Sequence, residues 1–211
     1  DVGAGTGAVT QELSRRTRGT VIGADIAPQF IEYARAHDER TLYEQADALD
    51  LPYPDRHFDL TVCHFLLLWV ADPQRAVAQM ARVTKEGGTV LICAEPDYGG
   101  RIDWPELPIR DWQLAGLERQ GADPRIGRRL RALMVNAQLY TEVGIHASQW
   151  NTDALRQQFE NEWAWLQRDV AGLVDPEAFL RAKTRAQDAI EAGTRFSYLP
   201  TFYALGRKEY A

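Results

Sequence analysis

The sequence predicts a doubly wound α/β domain, and three observations carry that expectation. Short apolar runs alternate with helix-patterned stretches from residue 1 to 95. The runs are apolar throughout rather than every second residue, as in a parallel sheet covered on both faces. A glycine-rich elbow, Asp1-Val2-Gly3-Ala4-Gly5-Thr6-Gly7, lies between the first strand and the first helix. In such sheets ligands bind at the carboxyl ends of the strands.

Each element follows in turn. After the elbow a helix runs from Ala8 to about Thr17, and Thr20 to Asp25 is an apolar strand ending in an acid. Pro28 suits a first helical turn, with Phe30, Ile31 and Ala34 at helical spacing to about His37. Strands follow at Thr41–Ala46 and His57–Cys63, separated by an Asp- and Pro-rich loop. Asp72-Pro73 forms an N-cap and N1 pair for a helix to about Thr84. Gly87-Gly88 is expected to break the chain before the strand Thr89–Ala94. Residues 96–110 carry three prolines and read as an irregular loop. Helices are then expected at about 110–120, 125–138, 152–169 and 176–192, and strands at Val143–Ala147 and Thr201–Gly206.

Composition bounds the function classes. At 211 residues and 45% hydrophobic, the chain can bury one core spanning 1–211, with cap elements at about 96–138 and 151–195. A net charge of -6 argues against a general attraction to nucleic acid, and Arg15–Arg18 and Arg125–Arg131 read as solvated helix faces. Cys63 and Cys93 sit inside apolar runs, which fits free thiols in a reducing compartment. No signal peptide or apolar stretch of membrane-spanning length appears, so a cytoplasmic protein without a membrane partner is expected. No His/Cys/carboxylate cluster has metal spacing. Asp1-Val2 is only the end of a strand that needs roughly 5 residues, so a preceding segment is expected.

The elbow says that a nucleotide-like ligand binds here. Glycine lets a ligand lie against bare backbone, and the following helix offers free N–H groups and the positive end of its dipole. Gly3-x-Gly5-x-x-Ala8 satisfies the looser dinucleotide fingerprint. Asp25, 22 residues after Gly3, closes the second strand where a carboxylate can accept from two ribose hydroxyls. Nicotinamide and S-adenosylmethionine enzymes share that device.

Later residues discriminate. Ala46-Asp47-Ala48-Leu49-Asp50-Leu51-Pro52 follows the third strand, then Phe58-Asp59-Leu60-Thr61-Val62-Cys63-His64, then the strand after Gly87-Gly88. With Asp1–Gly7 and Asp25-Ile26-Ala27-Pro28, these five motifs resemble the class I S-adenosylmethionine-dependent methyltransferases. The resemblance is to the small-molecule, ubiquinone-biosynthesis-like branch (methyltransferase type 11). It covers residues 1 to about 95 and the last strand, ending in Gly206-Arg207-Lys208.

The resemblance implies a Rossmann-like seven-stranded sheet, mostly parallel with an antiparallel last strand, carrying helical cap insertions. It implies S-adenosyl-L-methionine as cofactor, a small organic acceptor, and a monomer or homodimer. Asp1, Gly3, Ala4 and Gly5 would hold the methionine part, Asp25 the ribose, and Ile26 the adenine face. Asp47 would accept from the adenine amino group while the Ala48 N–H donates to the ring. His64 would face both cofactor and acceptor, and His64 and Glu95 are the candidate catalytic residues. Asp97, Tyr98 and His146 are further candidates for a base. Trp104, Trp112, Trp163 and Trp165 read as core aromatics or as a lid over the acceptor.

Rival readings remain. A nicotinamide oxidoreductase would need a Tyr-x-x-x-Lys or similar pair, which the sequence lacks. A silent cofactor-binding module is an alternative. A protein or RNA methyltransferase is a second, disfavoured by charge and by Cys63-His64-Phe65-Leu66 where an N-P-P-Y-like motif would stand.

Overall fold

The computed structural model describes residues 1–147 and 151–210. Val2 makes parallel bridges to Ala24 on one side and Cys63 on the other. The elbow passes into α1 (Ala8–Arg16), whose N-cap is Gly7 with no side-chain cap, so the first N–H groups stay available. β1 (Ile22–Asp25) leads to α2 (Pro28–His37), which starts with its proline in the first turn. β2 (Leu42–Gln45) pairs parallel with β1 from Ile22↔Leu42 to Asp25↔Gln45. β3 (Phe58–Cys63) precedes α3 (Pro73–Val83), where the Asp72 carboxylate accepts from Arg75 N at 2.9 Å.

β4 (Thr84–Pro96) ends the alternating half. Then come β5 (Ile102–Trp104), α4 (Ile109–Arg119), α5 (Leu130–Asn136) and β6 (Tyr140–Ile145). α6 (Thr152–Asp169), α7 (Pro176–Glu191), β7 (Phe196–Tyr198) and β8 (Thr201–Arg207) complete the order. β3, β4, β8 and β6 form one sheet in that order, with β8 antiparallel to both neighbours. β1 and β2 form a second sheet, and β5 and β7 an antiparallel ribbon.

Several expectations need correcting. The seven-stranded sheet is met only in part: the strands pair as sheets of two and four, meeting at Val2. A single residue makes one bridge on each side, too little for a ladder. Gly87-Gly88 does not break the chain before β4, which begins at Thr84. The register jumps from Phe58↔Thr84 to Leu60↔Thr89, so the residues between bulge out. Their backbone is satisfied from the last strand, since Gly87 N donates to Lys208 O and Lys208 N to Gly88 O.

Residues 96–110 are not wholly irregular, because β5 pairs with β7 there. β6 spans Tyr140–Ile145 rather than Val143–Ala147, following its partner register from Arg207 to Phe202. The stretch 125–138 splits into a 3-10 turn at Ile126–Arg129 and α5. It also leaves the expected cap: Ile126, Leu130, Leu133 and Met134 are buried in the main core with Val90, Ile92 and Ala204. A separate apolar cluster unites Ile109 of α4, Phe159, Trp163 and Leu166 of α6, and Ala182, Ala186 and Ile190 of α7. Cap and sheet therefore have distinct cores.

Candidate functional site

The glycine elbow is built by backbone, then pinned by one carboxylate. Gly3 N and Ala4 N both donate to Ala24 O, at 2.8 and 2.9 Å, which folds the elbow onto the end of β1. Asp25, half-buried, accepts Gly5 N on Oδ2 at 2.8 Å and Ala27 N on Oδ1 at 2.9 Å. Each oxygen keeps lone pairs for a further donor. Gly3 and Gly5 stand at φ 73° and 53°, a left-handed backbone that L side chains rarely adopt. A Cβ on Gly5 would meet nothing within 4 Å, so bare main chain faces open space there. A Cβ on Gly3 would come within 2.6 Å of Leu66 Cδ1.

The other expected ligand residues surround this elbow in different states. Asp1 Oδ2 accepts from Thr10 Oγ1 at 2.6 Å, while Asp1 Oδ1 is buried without a partner. Ile26, just past β1, is 63% exposed, an apolar surface looking for cover. Asp47 is exposed and its Oδ1 accepts from Leu49 N at 2.8 Å, which fixes the turn. The Ala48 side chain is buried in the main core. His64 is exposed immediately after β3, its ring 6.4 Å from that of Phe65.

Glu95 differs from the expectation of a group that touches substrate. It is fully buried, and Oε1 accepts Leu66 N and Leu67 N at 2.8 and 2.7 Å while Oε2 accepts Leu68 N at 3.3 Å. Burial pushes its pKa up to about 7 despite those three donors. Its oxygens are spent on backbone, so the correction is from chemistry to architecture. Asp97 is likewise engaged, in a bidentate pair with Arg128 at 2.6 and 2.8 Å. Burial pushes the Tyr98 phenol up to about 12, so it stays a donor at neutral pH. His146 donates from Nε2 to Cys93 O at 2.6 Å.

A cavity of about 890 Å³ lies between the carboxyl edge of the sheet and the cap, and neither the elbow nor Asp25, Asp47 or His64 is among its lining residues. Phe65, Trp69 and Tyr98 line it from the sheet side, Trp165 and Glu162 from α6, and Arg101 from the segment before β5. Arg101 is itself held by Asp103, Gln113, Glu162 and Ser197, and Asp103 also pairs with Arg195 at 2.5 Å. Of the four tryptophans singled out, Trp165 lines the cavity and Trp163 is cap core. Trp112 stacks on Phe179 in the cap, and Trp104 is exposed on β5. No motif or spacing marks Phe65, Trp69, Arg101 or Glu162 as lining residues. Another cavity, of about 670 Å³, opens between β1 and β3 at the opposite end of the strands. Among the described residues no group of His, Cys, Asp and Glu is arranged to hold a metal, and no helix is long and apolar enough to cross a membrane.

Comparison with known proteins adds a family. Residues 1–92 match the profile of a family described as a methyltransferase domain. An uncharacterized methyltransferase of Schizosaccharomyces pombe is 31% identical over 163 residues, covering 70% of this chain and 58% of the relative. A demethylmenaquinone methyltransferase of Tropheryma whipplei is 39% identical over 95 residues, covering 44% of this chain and 39% of that protein. The chain thus spans between two fifths and three fifths of the length of these curated relatives. The crystal structure of YcgJ from Bacillus subtilis superposes with a TM-score of 0.65 over 100% of this chain and 91% of that one, at 19% identity. A phosphoethanolamine N-methyltransferase from Haemonchus contortus, solved with S-adenosyl-L-methionine, gives 0.65 over 100% of this chain and 48% of that one, at 15% identity. At such identities the likeness is one of fold.

Proposed function

We propose that the protein, whose residues 1–92 match a methyltransferase-domain family, moves a methyl group from S-adenosyl-L-methionine to a small organic acceptor. The observation that carries the reading is the open backbone at Gly5, held by Asp25, with the turn that bears Leu66 against Gly3 also bearing Phe65 and Trp69 on the wall of the cavity under the cap. The sheet is read as the family's seven-stranded one, with Val2 bridging its two parts. A cytoplasmic location and a monomer or homodimer without nucleic-acid partners complete the proposal.

The residues present fit the cofactor. Asp1 has a buried, unpartnered Oδ1 facing no described donor, suited to the amino group of the methionine end. Asp25 would accept from the ribose, Ile26 would cover the adenine, and Asp47 with the Ala48 N–H would read its edge. The bound cofactor supplies an electrophilic methyl on a sulfonium whose charge vanishes on transfer. Phe65, Trp69 and Trp165 would give the acceptor aromatic walls in a cavity that Arg101, Glu162, Arg168 and Asp169 also line. Holding the partners in line can supply about 7–11 kcal/mol of the barrier. Where the acceptor must lose a proton, the exposed His64 imidazole is the assigned base, contributing about 10²–10⁴-fold.

Calorimetric titration with S-adenosylhomocysteine tests the assignment. Wild type should bind in the range of about micromolar, near -8 kcal/mol, and Asp25→Ala should bind at least about tenfold more weakly. Tight binding of NADH with no response to the adenosyl ligand would reject it. Methyl incorporation from labelled cofactor into a metabolite extract separates an enzyme from a silent binder.

A further inference from the structure

The segment from His64 to Val70, between β3 and α3, hangs from one side chain. Glu95 at the end of β4 takes three successive amides, those of Leu66, Leu67 and Leu68. The residues on this turn face two ways. Leu66 packs against the elbow, leaving no room for a Cβ on Gly3. Phe65 and Trp69 form one wall of the cavity under the cap. Phe65 stands at φ 56°, costly for a bulky aromatic, and its amide donates to Ala94 O at 2.9 Å, one residue before Glu95.

We propose that Glu95 is a positioning residue for methyl transfer, fixing through the 64–70 turn how the glycine elbow sits relative to the acceptor cavity. The inference rests on the function proposed above. A buried carboxylate is an expensive way to fill space, and an apolar side chain of similar volume would avoid the desolvation. What the carboxylate does that leucine cannot is accept three N–H groups in a row and so dictate the turn. The same turn touches both sites, so a change in its shape is felt by both.

The test uses the full chain as wild type, Glu95→Gln and Glu95→Leu. Two measurements are made on each: calorimetric affinity for S-adenosylhomocysteine, and hydrogen exchange of the Leu66, Leu67 and Leu68 amides. Glutamine keeps an oxygen for the two shortest bonds, so its affinity should stay within about threefold of wild type. Leucine should weaken binding at least about tenfold and speed exchange at all three amides. Wild-type affinity in Glu95→Leu, despite fast exchange at the turn, would overturn the proposal. Should the leucine variant not fold, the wild type decides: bound S-adenosylhomocysteine must slow exchange at Leu66–Leu68, and unchanged protection overturns the coupling. A wild type that ignores S-adenosylhomocysteine overturns the methyl-transfer reading instead. Glu95's hold is then judged by exchange alone, and equal protection in wild type and Glu95→Gln or Glu95→Leu would reject it.

Discussion

Burying the Glu95 carboxylate in the sheet's edge raises its pKa from 4.5 to about 7, because desolvation outweighs the three amides that favour the anion. An acid whose folded value lies above its unfolded one favours folding when protonated. Its contribution is therefore fullest below pH 4.5 and is lost as pH rises to about 7. The span corresponds to about 3 kcal/mol. Urea unfolding of wild type and Glu95→Gln at pH 5 and pH 8 should show the wild type losing ground to the variant at the higher pH by an amount of that order. A pH-independent difference would remove the carboxylate as its source. At this scale the sequence was most informative where chemistry is local. Gly3, Gly5 and Asp25 lie within one strand–turn–helix and the next strand, and their spacing announced them. The role of Glu95 was hidden because its donors lie 27–29 residues earlier, on a turn with no motif of its own.

Elements were legible where caps and periodicity agreed. Asp72-Pro73 and Asp175-Pro176 each open a helix whose cap carboxylate accepts the expected N–H, and the helix expected at about 152–169 is capped by Asn151, which no reading of the sequence had singled out. The ribbon of β5 and β7 was not legible, since three-residue strands carry no period. It exists because Asp103 between Arg101 and Arg195 ties segments 92 residues apart. The cap's own apolar cluster makes it separable from the sheet. Trp163, 1% exposed, is its central side chain. Trp163→Ala should cost about 3–5 kcal/mol, confined to the cap. Limited proteolysis should then cut within residues 152–191 while S-adenosylhomocysteine affinity stays within about threefold, because the elbow belongs to the other core. Loss of affinity beyond that would show that the cap and cofactor cradle fold as one.

For the molecule as a whole, ligand and stability are linked. S-adenosylhomocysteine at about 100 times its dissociation constant should add about 2.7 kcal/mol to unfolding. For a chain of this length that is a rise in Tm of about 5–11 °C, read by differential scanning calorimetry. No shift at that concentration would mean that the folded state holds no such site. The overall architecture was readable because strand and helix alternate without interruption up to β4, whereas the substrate side depends on long-range pairings in the second half. One such pairing bears on biosynthesis. β8 lies between β4 and β6, so its residues, 201–207, join two neighbours that left the ribosome long before. Until they emerge, β4 presents a naked, sticky edge to other unfinished chains. Translation must finish this strand before the sheet can close, which makes the wait itself the molecule's most vulnerable moment.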